Sequence, residues 1–343
     1  MKVIWNYNNA MEKFDRSYIR KIRYAVQWAV FLMVLYAGYT FYLFIKSIEM
    51  GLSPVVGRSP SVEGFMPIGA LMALKLWVTT GMFDPIHPAA LVIFIGALLL
   101  AVLLKKSFCG WICPVGTLSE IVWKFGRKAF GGNFKIHKYI DYPLRSLKYI
   151  IMAFFVYAII IKMTPVQISG FLNTPYWKVS DIKLLRFFAD MSTTTQVTLA
   201  ALFVPSFFYN NFWCRYLCPY GGLLGVISLL SPVKIKRVES KCIDCGLCSK
   251  NCPSLLPVDK KEYVRSAECT GCMTCVSYCP AKDALDADIG GRLKIRPLVY
   301  AGMVVVVFFG VILAARLTGH WHSSLSYKEL INFMPLLDSL PHP

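Results

Sequence analysis

The chain has 343 residues, of which 56% are hydrophobic and 16% charged, with a mean hydropathy of +0.52. A soluble globular chain carries roughly a quarter charged residues, so this composition excludes an ordinary soluble enzyme and any disordered or fibrous class. The formal net charge is +18; on a membrane protein such an excess marks cytoplasmic loops rather than a nucleic-acid surface.

In chain order, five apolar stretches at 24–45, 88–104, 146–161, 195–210 and 297–315 approach the roughly 20 helical residues needed to cross about 30 Å of hydrocarbon. The second is short and needs a near-upright course or borrowed flanking residues. The first follows a long polar arm and exceeds the apolar core of a signal peptide, so it is read as a retained span. The basic residues alternate in density along the loops. The arm and the segments 105–148 and 211–296 hold six, nine and thirteen, whereas 46–87, 162–194 and 316–343 hold three, four and two. The positive-inside rule then predicts a cytosolic N-terminus, an outer C-terminus and five spans.

Twelve cysteines divide into two classes. From Cys242 the chain reads C-I-D-C-G-L-C-S-K-N-C-P, and from Cys269 C-T-G-C-M-T-C-V-S-Y-C-P. Each is C-x2-C-x2-C-x3-C-P, the bacterial two-cluster ferredoxin run, in which the fourth Cys serves the other cluster. The spacing lets three thiolates wrap one cubane while the Pro carries the fourth away. The expected ligand sets are Cys242, Cys245, Cys248 and Cys279 for one [4Fe–4S] cluster, and Cys269, Cys272, Cys275 and Cys252 for the other. Disulfides are disfavoured on the cytosolic side, and paired zinc knuckles do not use this triplet spacing.

The remaining cysteines lie in F-C-G-W-I-C-P-V-G (Cys109, Cys113) and W-C-R-Y-L-C-P-Y-G (Cys214, Cys218), after the second and fourth apolar stretches. Pro disfavours α backbone at the residue before it and suits the first turn of a new helix. Each C-x3-C-P therefore predicts a corner between a span and a helix lying on the membrane; for the first pair that helix is Pro114 to about Phe130. Gly64-Phe65 and Gly170-Phe171 precede Cys109 and Cys214 by 45 and 44 positions, which suggests a duplicated unit. Two copies running in the same direction imply a pseudo-two-fold axis along the membrane normal, gathering the four thiols at the cytosolic face. The residues leave open three roles for them: a third metal centre, redox-active thiols or copper-binding thiols, and plain packing.

Together, the C-x3-C-P corners, the tandem ferredoxin runs and the stretch G-F-M-P-I-G-A … T-T-G-M-F-D-P-I-H-P-A-A before F-C-G-W-I-C-P-V-G-T-L-S-E resemble the membrane-bound polyferredoxin proteins related to NapH, NosR and CcoG, over roughly residues 60–285. The resemblance implies electron transport between the quinone/quinol pool, cytosolic donors and periplasmic partners, in the cytoplasmic (inner) membrane of a prokaryote. NosR-like members add a flavin-binding periplasmic domain with a covalent attachment Thr; that motif is absent here, so a separate flavin, cytochrome or reductase subunit is the expected partner. CcoG-like members imply the alternative of a copper-reducing assembly factor, and a quinol dehydrogenase in its own right is a second alternative.

The expected architecture is a mainly α membrane protein: a cytosolic arm (1–23), a membrane domain with four spans and two corners (24–233), a ferredoxin-like domain (234–296), and a last span with an outer tail (297–343). Near the outer face, Lys75, Asp84 and His87 interrupt an apolar region. Ionisable groups at membrane depth are functional candidates, here for a quinone or proton site, against the alternative of a loop meeting water. No P-loop, dinucleotide fingerprint, nucleophile elbow or haem attachment motif occurs in the sequence.

Overall fold

The computed structural model describes residues 2–54, 56–132, 134, 136–291, 293–337, 339 and 340, with side chains from residue 16 onward apart from that of residue 138. Helix α1 (Lys2–Glu49) carries the polar arm without a break into the first apolar stretch; it contains no Pro and a single Gly. Helices α2 (Pro67–Thr80), α3 (Pro88–Leu104), α4 (Pro114–Ala129), α5 (Lys138–Val156), α6 (Pro165–Leu172), α7 (Pro175–Lys178), α8 (Ser180–Ala189), α9 (Thr193–Phe208) and α10 (Pro219–Ile227) follow. Six of these nine begin on Pro, whose fixed φ suits the first turn and whose missing N–H is not needed there.

The chain then forms β1 (Val233–Arg237), α11 (Leu247–Lys250), β2 (Tyr263–Val264), α12 (Thr274–Tyr278), β3 (Leu285–Ile289) and β4 (Leu293–Ile295), before α13 (Pro297–Leu317) and α14 (Tyr327–Phe333). The strands make one antiparallel sheet in the order β2-β1-β3-β4, with Ile235 opposite Val264 on one side and Ala287 on the other. The sheet occupies the segment expected to be ferredoxin-like.

Among the described residues, three helical segments are long and apolar enough to cross a membrane: Arg16–Glu49, Tyr139–Lys162 and Pro297–Leu317. The other two expected spans, α3 and α9, have 17 and 16 residues, or about 25 Å at 1.5 Å per residue. Helix α3 stops where Lys105 takes a left-handed backbone, φ 62°.

The chain divides into two compact units: Met1–Phe31, Ala97–Ile151 and Leu202–Phe308 in the first, and Leu32–Gly96, Met152–Ala201 and Phe309–Pro343 in the second. This division differs from the consecutive domains expected from the sequence, because the chain changes unit five times, each time inside α1, α3, α5, α9 or α13. All twelve cysteines belong to the first unit. In the second, Met72, Ala73 and Leu76 of α2 pack with Leu91, Ile159, Ile168, Leu172 and Trp177. A separate cluster there joins Phe41, Phe44, Ile45 and Ile48 of α1 to Val179, Ile182, Leu330 and Leu337.

Candidate metal centres

The ferredoxin runs build two cavities in the first unit. One is lined by Cys242, Cys245, Cys248 and Cys279 with Arg237, Ile243, Asp259 and Leu285. The other is lined by Cys252, Cys269, Cys272 and Cys275 with Ile235, Pro253, Leu256 and Val264. Each thus receives three cysteines from one run and the fourth from the other. The backbone reason lies in matched left-handed residues. Asp244 and Gly246 flank Cys245 with φ 50° and 66°, and Gly271 and Met273 flank Cys272 with φ 57° and 58°. Alternating right- and left-handed backbone turns successive N–H groups to one side, forming a concavity suited to an anion.

The cavities differ in access. Cys245 is exposed, whereas Cys269 and Cys275 are buried. Burial pushes the Cys269 and Cys275 thiols up from their ordinary values and the Cys252 thiol up to about 12. Bare, these groups stay protonated, and a bound metal would displace the protons.

The C-x3-C-P pairs sit at two corners of the same construction. In the first, a wide turn over Phe108–Ile112 closes with the Cys113 N–H donating to Phe108 O at 2.9 Å, and Cys113 is extended (φ −63°, ψ 120°) before α4 starts on Pro114. In the second, Trp213–Leu217 closes with the Cys218 N–H donating to Trp213 O at 3.0 Å, and Cys218 is extended (φ −71°, ψ 105°) before Pro219. The helix expected from Pro114 to about Phe130 is α4. At the first corner Gly116 is required by space: a Cβ there would meet Cys109 O at 2.5 Å.

The four corner thiols are electrostatic neighbours: Cys109 interacts with Cys113 and Cys218, and Cys214 with all three others. Burial raises all four, Cys113 to about 11. Among the described residues no three His, Cys, Asp or Glu side chains are closed around a single metal ion. A cubane, whose irons hold their thiolates further apart, is a different demand, met by four thiolates per cluster.

Several residues that sequence reasoning passed over hold these corners. Arg23 of α1 donates to Glu120 (Nη2 to Oε1, 2.6 Å) and to Gly110 O (Nη1, 3.3 Å), and Gln27 Nε2 donates to Gly110 O at 3.1 Å. Trp111 Nε1 donates to Gly271 O at 3.0 Å, and a Cβ on Gly110 would lie 2.9 Å from Thr270 O. From the second corner, Arg215 Nη1 donates to Ser254 O at 2.7 Å while its Nε and Nη2 bind Asp141. Thr270, Gly271 and Ser254 all line the cavity of Cys252, Cys269, Cys272 and Cys275, so both corners abut that cavity. Beside the corner thiols, buried Lys106 and Lys148 share Glu268, at 3.6 and 2.6 Å. The available signal was a pair of lysines directly after the second apolar stretch, which reads equally as loop charge.

In the second unit, Lys75, Asp84 and His87 do not form one group. Lys75 Nζ donates to the carbonyls of Ile159, Ile160 and Met163, at 3.0, 2.9 and 2.5 Å. Asp84 accepts from the Ile86 N–H and from Trp177 Nε1, at 2.9 and 3.0 Å. His87, fully buried, donates from Nε2 to Trp177 O at 2.7 Å and turns Nδ1 towards Glu63 and Arg58, both at 3.3 Å. Glu63 Oε2 accepts from the Ala89 and Ala90 N–H groups at the start of α3, and Arg58 pairs with Asp181 at 2.7 Å. Burial opposes a charged His87 ring, but its hydrogen bond to Glu63 and the nearby Asp181 charge outweigh this and raise it above the ordinary imidazole value. Asp84 and His87 meet through Trp177; Lys75 is committed elsewhere.

A 4Fe-4S binding domain matches residues 86–133 and 193–237, the two corner units, and a 4Fe-4S dicluster domain matches 234–280. The chain is 41% identical over 325 residues to the putative electron transport protein YccM of Escherichia coli, covering 92% of this chain and 91% of that protein. It is 31% identical over 191 residues to the uncharacterized protein MJ0749 of Methanocaldococcus jannaschii, covering 56% and 68% of the two chains. With the ferredoxin-type protein NapH of Haemophilus influenzae it shares 27% identity over 195 residues, covering 53% and 62%. No solved structure matches. With its dicluster segment, its apolar helices and a likeness to YccM along nearly its whole length, the chain belongs to the membrane polyferredoxin-like family of iron–sulfur electron-transfer proteins.

Proposed function

We propose that the chain is a membrane electron conduit with three iron–sulfur centres: one held by Cys242, Cys245, Cys248 and Cys279, one by Cys269, Cys272, Cys275 and Cys252, and a third by the corner residues Cys109, Cys113, Cys214 and Cys218. The observation that carries the reading is that both corners abut the cavity of Cys252, Cys269, Cys272 and Cys275 through Trp111, Gly110 and Arg215. The clusters supply one-electron chemistry when bound; the chain supplies spacing, burial and charge. The exposed Cys245 marks the side open to a soluble donor or acceptor. The corner faces the membrane side of the relay, towards a separate redox subunit.

Metal ligation accounts better for the corner thiols than disulfide exchange does. Reactive cysteines have lowered thiol pKa values in electropositive, accessible places, whereas these four are pushed up by burial. A quinol site at Lys75, Asp84 and His87 has less behind it, given Lys75's three carbonyl partners.

In the proposed topology all five apolar helices cross the membrane and the twelve cysteines lie on its cytosolic side. Supporting it, 28 of the 37 Lys and Arg residues fall in that unit and nine in the other. Outward electron flow is then aided by an inside-negative potential, by about 2.3 kcal/mol per 100 mV.

The test is iron and sulfide analysis of anaerobically purified protein. About twelve iron atoms per chain are expected, four per cluster, falling to about eight in Cys109→Ser/Cys214→Ser. About eight in the unaltered chain would remove the third centre, and copper at the corner in its place would favour the metal-assembly role.

A further inference from the structure

Around the corner thiols the buried charges do not balance. Lys106 is 4% exposed and Lys148 is fully buried. They share one carboxylate: Glu268 Oε2 lies 2.6 Å from Lys148 Nζ and 3.6 Å from Lys106 Nζ, while Oε1 accepts from Tyr149 Oη at 2.7 Å. Asp141, at the second corner, is engaged by Arg215 and Arg145. Buried charges are stable only when paired, so this set is one negative charge short. Besides Glu268, Lys106 interacts with Cys109, Cys214 and Cys218, while Lys148, which is also repelled by Lys106 and Arg215, acts on Cys109 and Cys218. Phe108 and Tyr220 stack edge to face beside them, 5.8 Å between ring centroids. Charges act strongly where such groups exclude water.

We propose that Lys106 and Lys148 are positioning residues for the corner centre, supplying the buried positive charge that holds it as an anionic group and raises its reduction potential, and that Glu268, through their shared ion pair, moderates that effect. This rests on the corner being a redox-active metal centre. Its one-electron reduction adds a negative charge, which a fixed cation nearby favours and a fixed carboxylate disfavours. Glu268 also immediately precedes Cys269 in the chain, which lines the neighbouring cavity. Lys105, whose buried ammonium has no hydrogen-bond partner among the described residues, interacts instead with Cys269 and Lys234.

The experiment is a mediated dithionite titration of purified protein followed by EPR, with the corner signal identified as the one lost in Cys109→Ser. Lys106→Met and Lys148→Met should each lower the reduced-to-oxidised ratio of that signal at fixed potential by about tenfold, which is about 59 mV for a one-electron couple. Glu268→Gln should shift it the opposite way, and Lys106→Arg should leave it near the unaltered value. Opposite signs are the signature that a packing role would not produce. Unchanged potentials, or shifts of one sign in all variants, overturn the proposal. Should Lys106→Met lose the corner signal, its return in Lys106→Arg supports the charge role, and failure to return counts against it. A chain that carries only about eight iron atoms and no corner signal overturns the three-centre reading itself, an outcome distinct from a loaded corner whose potential ignores these lysines.

Discussion

At the scale of single residues, the left-handed positions around the ferredoxin cysteines are the most exacting. Gly271 combines φ 57° with space so limited that a Cβ would lie 2.1 Å from Tyr300 Oη and 3.0 Å from Leu104 O. Gly271→Ala should therefore abolish loading of the Cys252, Cys269, Cys272 and Cys275 cavity, read as a loss of about four iron atoms per chain. Asp244 has the same backbone sign in the matching position of the other run, and Asp244→Gly should leave iron content unchanged because Gly enters this region freely. A second exacting residue is Glu120, 7% exposed and bound by the buried Arg23 guanidinium. Burial alone would raise its carboxyl, but Arg23 and Lys124 outweigh that and hold it down at about 2. A depressed carboxyl contributes stability that is complete above its unfolded value, near 4.5, and lost as pH falls towards 2. Glu120→Gln should cost about 3–5 kcal/mol at neutral pH by stranding a buried cation. It should also flatten the acid limb of the unfolding curve followed by tryptophan fluorescence in detergent. A variant as stable as the parent at pH 7 would show that the Arg23 pair contributes nothing.

At the scale of elements, the corners show what a sequence reveals and what it hides. The Pro after Cys113 and Cys218 fixed the expectation that each second cysteine leaves the helix, and both are extended. The wide turn before each, closed five residues back rather than four, has no signature in F-C-G-W-I or W-C-R-Y-L. It arises because the chain must reach an extended residue without wasting the last amide. Pro114→Ala would let α4 continue backward through Cys113. The expected result is loss of the corner EPR signal with the two ferredoxin signals retained; retention of all three would mean that the corner geometry does not depend on the Pro. The polar set in the second unit was hidden for another reason. His87 stood out beside an apolar run, but its partners Arg58, Glu63 and Asp181 come from segments where a charged residue is unremarkable as loop composition, and only folding brings them to one place. Lys106 was hidden in the same way, since a lysine after a span reads as a topology signal whether or not its ammonium is buried.

For the whole molecule, the alternation of basic and poor segments along the sequence and the division into two units are the same division: 28 basic residues accompany the cysteines and nine do not. Charge counting could read this because it needs no knowledge of contacts. The interleaving of segments from distant parts of the chain into each unit is set by tertiary packing, and consecutive domain boundaries could not express it. If the proposed five-crossing topology holds, alkaline phosphatase inserted after Gly51 should be active and inserted after Gly131 inactive, with a fluorescent reporter giving the reverse. Activity at both points, or the opposite pattern, would require a different path for α3 or α9, whose roughly 25 Å length leaves least margin.

The exchange of the fourth cysteines bears on how the protein is made. Cys252 closes a cavity whose other walls carry Cys269, Cys272 and Cys275, and Cys279 closes the one begun at Cys242. A nascent chain that has emerged only as far as Leu256 therefore possesses neither four-cysteine set, although it already carries both corner pairs. With the proposed ligand sets, the first is complete only once Cys275 has been made and the second only with Cys279. A stalled or truncated product would leave the ribosome with open, unpaired thiols, the state that quality-control proteolysis is best placed to remove.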